Sequence, residues 1–204
     1  MTPELWRLAF LWVAWCALHS LLIARGAQRA LRSALGPRFR FVRLAFNGVA
    51  LATFVPIYAY SLTLRGPVLF DWWGAWIPVG VPLLLAALTL FWAGGRSYDM
   101  RVFLGIGEKG RSGMAGEGAL SRRGILGAIR HPWYTAGLCI LWVRPKDAAG
   151  LVTAILLSAY LVVGAHLEEA KLIAEFGDGY RAYRREVSMF LPLRWLRGLL
   201  SRAG

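Results

Sequence analysis

The chain has 204 residues, 57% of them hydrophobic, and a mean hydropathy of +0.49, which excludes an ordinary soluble domain, since such a domain needs a polar surface. Its 24 Lys and Arg against 11 Asp and Glu give a formal charge of +13, but they fall in short clusters between apolar runs. That placement is typical of lipid headgroup contacts and not of a nucleic-acid surface. We therefore expect one membrane domain over residues 1–204, in contact with the bilayer and with no nucleic acid.

Three segments in the first half are long and apolar enough to cross a bilayer. A hydrocarbon core of roughly 30 Å needs about 20 residues of helix. The segments are Leu5 to Ala24, Val42 to Leu64 and Trp73 to Gly94. They predict three N-terminal transmembrane helices within residues 1–95.

The fourth apolar run is too short to cross a bilayer alone. It extends from Trp133 to Val143, about 17 Å of helix, and ends before Arg144. The fifth run, Ala148 to Ala165, is long enough. We expect an all-α integral membrane fold with about five transmembrane helices. The last two form a helical hairpin and lead into a cytoplasmic amphipathic C-terminal segment, together covering residues 133–192.

The distribution of basic residues predicts the orientation of the chain. Residues 25–43 form an Arg-rich loop without acidic residues, and residues 96–132 and the C-terminal tail are also basic. Residues 65–72 carry one Arg and one Asp. Because basic loops remain on the cytoplasmic side, we predict a cell inner-membrane protein with its N-terminus outside and its C-terminus in the cytoplasm.

The cytoplasmic loop 96–132 is rich in glycine and contains a G-x-G-x-x-G pattern at Gly105, Gly107 and Gly110. This pattern binds phosphates where it links a strand to a helix. Here it follows a membrane helix and leads into more glycine. We interpret it as a flexible loop.

No metal site is expected. Cys16 and Cys139 lie inside separate apolar runs, and no Cys or His cluster has the spacing of metal ligands. We interpret both cysteines as small buried hydrophobic residues. His19, a single His in the first apolar helix, is interpreted as a packed residue.

Polar residues at the cytoplasmic ends of the last two helices are the candidates for a site. His131 directly precedes Pro132, which is favoured in the first turn of a helix, so His131 either caps that helix or contacts a ligand. Glu168 and Glu169 follow the fifth apolar run, where carboxylates are costly unless they are solvated or partnered. Adjacent helical residues point about 100° apart, so one glutamate can face the fourth helix while the other faces solvent.

An amphipathic pattern continues beyond Leu167. Gly177 and Gly179 interrupt it, which predicts a helix, a turn and a second short helix. Packing and lipid anchoring account for most of this segment, and a lid over a site is compatible with it. Its apolar residues are Leu172, Ile173, Phe176, Tyr180, Tyr183 and Val187.

Residues Gly124 to Pro192 resemble the membrane methyltransferases of the isoprenylcysteine carboxyl methyltransferase family. The first half is similar to the branch of that family with methanethiol S-methyltransferases and NnrU-like proteins. The residues that carry the resemblance are Arg130-His131-Pro132-Trp133-Tyr134, Gly137, Glu168-Glu169, Phe176-Gly177, Tyr180, Tyr183 and Pro192, and in the first half Leu18-His19-Ser20, Arg43 to Asn47, Tyr98-Asp99 and Phe103 to Gly105.

The resemblance implies an S-adenosylmethionine site. By this resemblance, the cofactor-binding residues are Arg130, His131, Tyr134, Gly137, Glu168 and Glu169. Their chemistry agrees, because carboxylates suit the sulfonium and ammonium groups, an aromatic ring suits adenine, and a helix N-terminus suits the cofactor's carboxylate. No catalytic residue is assigned, since the methyl group is already activated and the protein chiefly positions the acceptor.

Two departures from the family pattern bear on the methyl acceptor. Ser188-Met189 stand where relatives often carry Pro and a basic residue, and Gly164 stands where an Arg is frequent. A cation for an acceptor carboxylate is therefore not obvious, which favours a small thiol over a lipophilic, isoprenylcysteine-like acceptor. The alternatives are a non-catalytic membrane protein and a membrane lipid or sterol reductase of related architecture.

Overall fold

The computed structural model describes residues 2–71, 77–97 and 122–203, and within these ranges the chain is helical, without β-strands. The all-α prediction is thus confirmed for this part of the chain. Two short 3-10 turns, Gly36–Phe41 and Gly124–Gly127, accompany the α-helices. The α-helices are α1 Pro3–Ile23, α2 Arg25–Leu35, α3 Val42–Thr63, α4 Ile77–Ser97, α5 Pro132–Val143, α6 Ala148–Phe176, α7 Asp178–Glu186 and α8 Leu193–Ala203.

Four segments in the described ranges are long and apolar enough to span a membrane. They are Pro3–Ile23, Gly26–Thr63, Pro78–Ser97 and Ala148–Phe176. α5 has 12 residues, about 18 Å of helix, and is as short as its sequence indicates. The chain is therefore a membrane protein with four long apolar helices, while the count of five spans stays a prediction.

Several sequence predictions fall outside the described residues. These are the start of the third span at Trp73, the Tyr98-Asp99 pair, Phe103 to Gly105 and the glycine pattern at Gly105, Gly107 and Gly110.

Large apolar side chains on the long helices face outward. Phe10 of α1, Leu51 of α3 and Trp92 of α4 each expose more than three fifths of their surface. Exposure of so many large apolar side chains to water is unfavourable, whereas lipid tails solvate them. The outer surface of the helices is therefore the surface expected of a chain in a bilayer.

The Arg-rich segment between α1 and α3 is helical and not the loop that the sequence analysis expected. α2 is rich in Ala and Leu, which favour helix, and it ends at Gly36, whose φ of +50° suits glycine. Gln28 Nε2 donates a 2.6 Å hydrogen bond to the Leu22 carbonyl and holds α2 against the end of α1. This basic segment therefore has a fixed place on the fold.

α1 packs against α3 and α6 through tryptophan. Trp12 is fully buried and donates a 2.9 Å hydrogen bond from Nε1 to Thr153 Oγ1 of α6. Its ring lies 5.2 Å from Phe54 of α3. His19 stacks on Trp15 at 4.9 Å, and this contact agrees with a packed residue.

α5 and α6 run antiparallel, joined by residues 144–147. Near the turn, Trp142 Nε1 donates a 3.0 Å hydrogen bond to Ser158 Oγ. At the other end, His131 faces Glu168 and Glu169. The start of α5 therefore lies beside the last part of α6, and the crossing of a bilayer by this pair stays a prediction.

α4 packs closely against α5 at a single glycine. Trp133 covers Gly94 and donates a 3.3 Å hydrogen bond from Nε1 to the Phe91 carbonyl. A Cβ at Gly94 would overlap the indole ring, whereas a Cβ at the neighbouring Gly95 would meet no atom within 4 Å. This close approach places the first turn of α5 on α4.

We predict that Gly94→Ala destabilises the protein by about 1–3 kcal/mol, because the indole of Trp133 must move to admit the methyl group. Gly95→Ala is the matched control, since Ala favours helix and its methyl group has free space. Thermal unfolding in detergent, followed by circular dichroism, measures both. Equal unfolding temperatures for the two variants would contradict the packing described.

Candidate functional site

The start of α5 is held in place by the C-terminal segment. The Arg130 N–H donates to the Ser188 carbonyl at 2.9 Å, and the His131 N–H donates to the Met189 carbonyl at 3.1 Å. Thr135 Oγ1 donates to the Phe190 carbonyl at 3.0 Å. Residues 188–190 therefore hold the backbone of Arg130 and His131 and the first turn of α5, which carry the candidate site.

A buried carboxylate lies at the centre of the site. Glu169 exposes 2% of its surface, and its Oε1 accepts a 2.6 Å hydrogen bond from Nε of the buried Arg130. Arg184 Nε lies 3.0 Å from the other oxygen, Oε2. Arg130 Nη1 also donates to the Val187 carbonyl. Two guanidinium groups therefore compensate the charge of Glu169, as a buried ion requires.

His131 occupies the N-cap position of α5, but its side chain makes no capping hydrogen bond. The capping interpretation of the sequence analysis is therefore wrong for the imidazole ring. The residue is 1% exposed, with Nε2 3.5 Å from Glu169 Oε1 and Nδ1 3.9 Å from Glu168 Oε2. Neither nitrogen has a hydrogen-bond partner among the described residues. Buried polar atoms without partners are unusual and mark a place where a ligand can bind.

The two glutamates differ in environment, as their angular separation on α6 predicts. Glu169 points inward, whereas the Glu168 side chain is 25% exposed. Within the described ranges no Lys or Arg forms an ion pair with the Glu168 carboxylate, and the nearest basic side chain is His131, whose Nδ1 lies 3.9 Å away. Glu168 is therefore the carboxylate that is free to accept a positively charged group of a ligand.

Tyr134 lies beside this pair, one turn into α5. Its ring meets His131 edge to face, with 5.3 Å between the centroids. It lies over Gly164 of α6, where an added Cβ would be 3.4 Å from the Tyr134 ring. A methyl group at Gly164 would therefore be in ordinary van der Waals contact with Tyr134.

Gly137 lies apart from the other predicted site residues. It is six residues beyond His131, about 9 Å along the helix axis. An added Cβ at Gly137 would be 3.2 Å from Leu161 Cδ1. The structure therefore brings together five of the six predicted residues, Arg130, His131, Tyr134, Glu168 and Glu169, and places Gly137 in the contact between α5 and α6.

Two side chains of the site were not identified from the sequence. Arg184 of α7 pairs with Glu169, and the ring of Phe190 lies 6.3 Å from the ring of His131. Arg184 directly follows Tyr183, which the apolar pattern predicts to face inward. This position next to a buried residue is the feature that could have pointed to Arg184. The sequence offered no way to choose among the arginines of that segment.

The apolar residues of the C-terminal segment form one cluster, as expected. Leu172, Tyr180, Tyr183 and Val187 pack together, and α6 ends before Gly177, whose φ is +55°. The order of a helix, a turn at Gly177 and a short helix agrees with the prediction, whereas Gly179 lies inside α7 and does not interrupt it.

Both tyrosines of this cluster are neutral at physiological pH. Burial, aided by the charge of Glu169, raises the pKa of Tyr183 to about 12, against the lowering effect of Arg130 and Arg122. Burial also raises the pKa of Tyr180. The Tyr183 hydroxyl donates a 2.6 Å hydrogen bond to the Leu126 carbonyl. These phenols are packed in the cluster, and the Tyr183 hydroxyl ties it to the segment before α5.

Comparison with known proteins identifies several relatives that carry the same name. A methanethiol S-methyltransferase of a Pseudomonas species is 32% identical over 149 residues, which is 68% of this chain and 56% of the relative. Methanethiol S-methyltransferase 1 of Bradyrhizobium diazoefficiens is 43% identical over 67 residues, 32% of this chain and 24% of the relative. The methanethiol S-methyltransferase of Mycobacterium tuberculosis is 45% identical over 65 residues, 31% of this chain and 27% of the relative.

No family model matches the chain, and no solved structure matches it. The chain spans 56% of the length of the Pseudomonas protein and about a quarter of the other two. These matches are nonetheless consistent with the family branch that the motifs indicate. The resemblance is therefore confirmed, and this chain is a homologue of the methanethiol S-methyltransferases.

Proposed function

We propose that this chain is a membrane-embedded, S-adenosylmethionine-dependent methyltransferase that methylates a small thiol. The observation that carries this proposal is the buried His131 ring, which lies between two carboxylates with neither nitrogen hydrogen-bonded in the described structure. The names of the relatives support methyl transfer to a thiol.

The residues present fit the chemistry of this cofactor. Glu168 offers a partly exposed carboxylate to its ammonium or sulfonium group, and a His131 nitrogen offers a hydrogen bond. The Tyr134 ring offers an aromatic face to the adenine or to a cation. When bound, the cofactor supplies an activated methyl group.

Glu169 has a different role in this proposal. Its Oε1 accepts a hydrogen bond from Arg130, and its Oε2 is ion-paired with Arg184 at 3.0 Å without a hydrogen bond among the described residues, so two guanidinium groups already offset its charge. Instead, it holds Arg130, and through the adjacent backbone it fixes the position of His131. We assign Glu169 as a positioning residue.

The protein's contribution to methyl transfer is to orient the acceptor and to exclude water. Orientation lowers the barrier because the reacting groups are held in place before the reaction. A thiolate acceptor needs no base from the protein, since its sulfur is already nucleophilic. The lack of a need for a base agrees with the raised pKa values of Tyr180 and Tyr183. We therefore assign no residue as a catalytic base.

The structure places cations near Ser188 and Met189, where the sequence indicated none. Five arginines line a cavity together with these two residues, so a lack of cations no longer favours a thiol acceptor. The preference for a thiol over an isoprenylcysteine-like acceptor now depends on the names of the relatives. We further propose that the chain lies in the inner membrane with the site on the cytoplasmic side, because the basic segments flank that side.

Removal of the Glu168 carboxylate or of the His131 imidazole is predicted to weaken cofactor binding. Glu168→Gln and His131→Ala each lose a contact with a charged or polar cofactor group and should weaken binding by at least about tenfold. Isothermal titration of purified protein with S-adenosylmethionine measures the effect. Glu175→Gln is the matched control, since it removes the same charge from an exposed position of α6 and should bind like wild type.

If both site variants bound S-adenosylmethionine with wild-type affinity, the cofactor would not bind at the proposed site. A folded wild-type protein that binds no S-adenosylmethionine would instead favour the non-catalytic alternative. Binding and oxidation of a nicotinamide cofactor in its place would favour the reductase alternative.

Glu169→Gln is predicted to destabilise the protein by about 3–5 kcal/mol, because it leaves the buried Arg130 guanidinium without its carboxylate. Glu186→Gln is the control, since it removes the exposed ion pair with Arg122 and should cost less than about 1 kcal/mol. Chemical unfolding of both variants in detergent gives the comparison. If Glu169→Gln were as stable as Glu186→Gln, Glu169 would not be the structural centre of the site.

A further inference from the structure

A cavity of about 580 Å³ lies between the entry to α5 and the C-terminal segment. Among the described residues its lining is strongly basic and contains no acidic residue. The lining residues are Arg130, Arg181, Arg184, Arg185, Ser188, Met189 and Arg194. We call it the arginine cavity.

The positive charge of the arginine cavity is only partly compensated. Glu169 serves both Arg130 and Arg184, and Asp178 lies 2.8 Å from Arg181. These two carboxylates face five guanidinium groups.

The two remaining arginines have no carboxylate partner in the described ranges. Arg194 donates to the carbonyls of Arg184 and Arg185 at the end of α7. Arg185 itself is exposed and has no hydrogen-bond acceptor or ion-pair partner among the described residues. A cavity with this excess of guanidinium groups favours an anion.

The anion is not the proposed methyl donor as a whole. S-adenosylmethionine carries two positive groups, and the guanidinium groups of this cavity repel both. The proposed cofactor contacts His131, Tyr134 and Glu168 are also absent from its lining. The arginine cavity therefore adjoins the proposed cofactor site, with which it shares Arg130 and Arg184, and does not include the proposed cofactor contacts.

The position of the cavity matches that of lipid headgroups. Arg130 lies two residues before the apolar helix α5, and α7 follows the end of the long apolar helix α6. α8, which begins beside the cavity at Leu193, is amphipathic. It exposes apolar side chains along its length, namely Leu193, Trp195, Leu196, Leu199 and Leu200, while Arg194 and Arg197 supply positive charge. Such helices lie in the membrane interface.

We infer that the arginine cavity binds the phosphate of an acidic phospholipid, whose acyl chains lie along the apolar side chains of α8. Guanidinium groups match phosphate oxygens in geometry and charge. The bound headgroup would hold α7 and α8 in place, and thereby the segment 188–190 that clamps the start of α5. This site is independent of the proposed methyl transfer.

Native mass spectrometry of the full chain released from detergent micelles tests the site. The protein is titrated with phosphatidylglycerol, and with phosphatidylcholine of the same acyl chains. Arg185→Gln should weaken phosphatidylglycerol binding about fivefold, since one basic residue near an anionic headgroup contributes on that scale. Arg65→Gln is the control, because it removes an exposed arginine at the opposite end of the long helices, next to the turn between α5 and α6, and it should change binding less than about twofold.

The expected result is a preference for phosphatidylglycerol that Arg185→Gln reduces and Arg65→Gln leaves in place. Equal binding of the two lipids, or equal effects of the two variants, would overturn the inference. Displacement of the lipid by millimolar inorganic phosphate would show that a soluble phosphate group is the ligand. Displacement by S-adenosylmethionine would show that the cavity holds the cofactor's carboxylate. Either displacement would overturn the lipid assignment, and each result is obtained without measuring methyl transfer.

Discussion

The candidate site depends on one buried ion network. Glu169 can remain charged in the interior because Arg130 and Arg184 approach its two oxygens from different elements, the entry to α5 and the helix α7. A buried carboxylate with a single distant partner would be strongly unfavourable. The network therefore requires α5, α6 and α7 to meet at one place. Everything else in the site takes its position from that requirement.

The same network gives the two adjacent glutamates different roles in the proposed site. Glu169 is structural, and Glu168 is available to a ligand. Since Glu169 is neutralised, the charge that a cationic ligand meets is that of Glu168, at the partly open side of the site. His131 lies between the two carboxylates, and its backbone N–H is held by the Met189 carbonyl. A ring so closely constrained contributes little conformational entropy to the cost of binding. The proposed cofactor site is thus prepared by the fold.

The sequence predicted the features that depend on local pattern. Hydropathy predicted the long helices and the shortness of α5, and the proline predicted the start of α5 at Pro132. The 100° angle between adjacent helical residues predicted the different environments of the two glutamates. The sequence did not predict features that depend on contacts between distant segments, namely the choice of Arg184 among several arginines, the pairing of Arg130 with Ser188, and the helix at Arg25–Leu35. His131 does lie at the N-cap position that the sequence indicates, but its ring does not cap the helix. The direction of the ring is set by tertiary packing, which the sequence does not show.

The proposed transfer of a methyl group to a thiol is tested by product formation with the purified full chain. S-adenosylmethionine with a labelled methyl group is supplied together with methanethiol, a longer thiol, a prenylcysteine analogue or lipid, and the labelled product is identified. We expect a labelled thioether from the small thiol, and a rate at least about tenfold lower for Glu168→Gln. A labelled methyl ester as the main product would contradict the thiol assignment, and no labelled product from folded, cofactor-binding protein would contradict the claim as a whole.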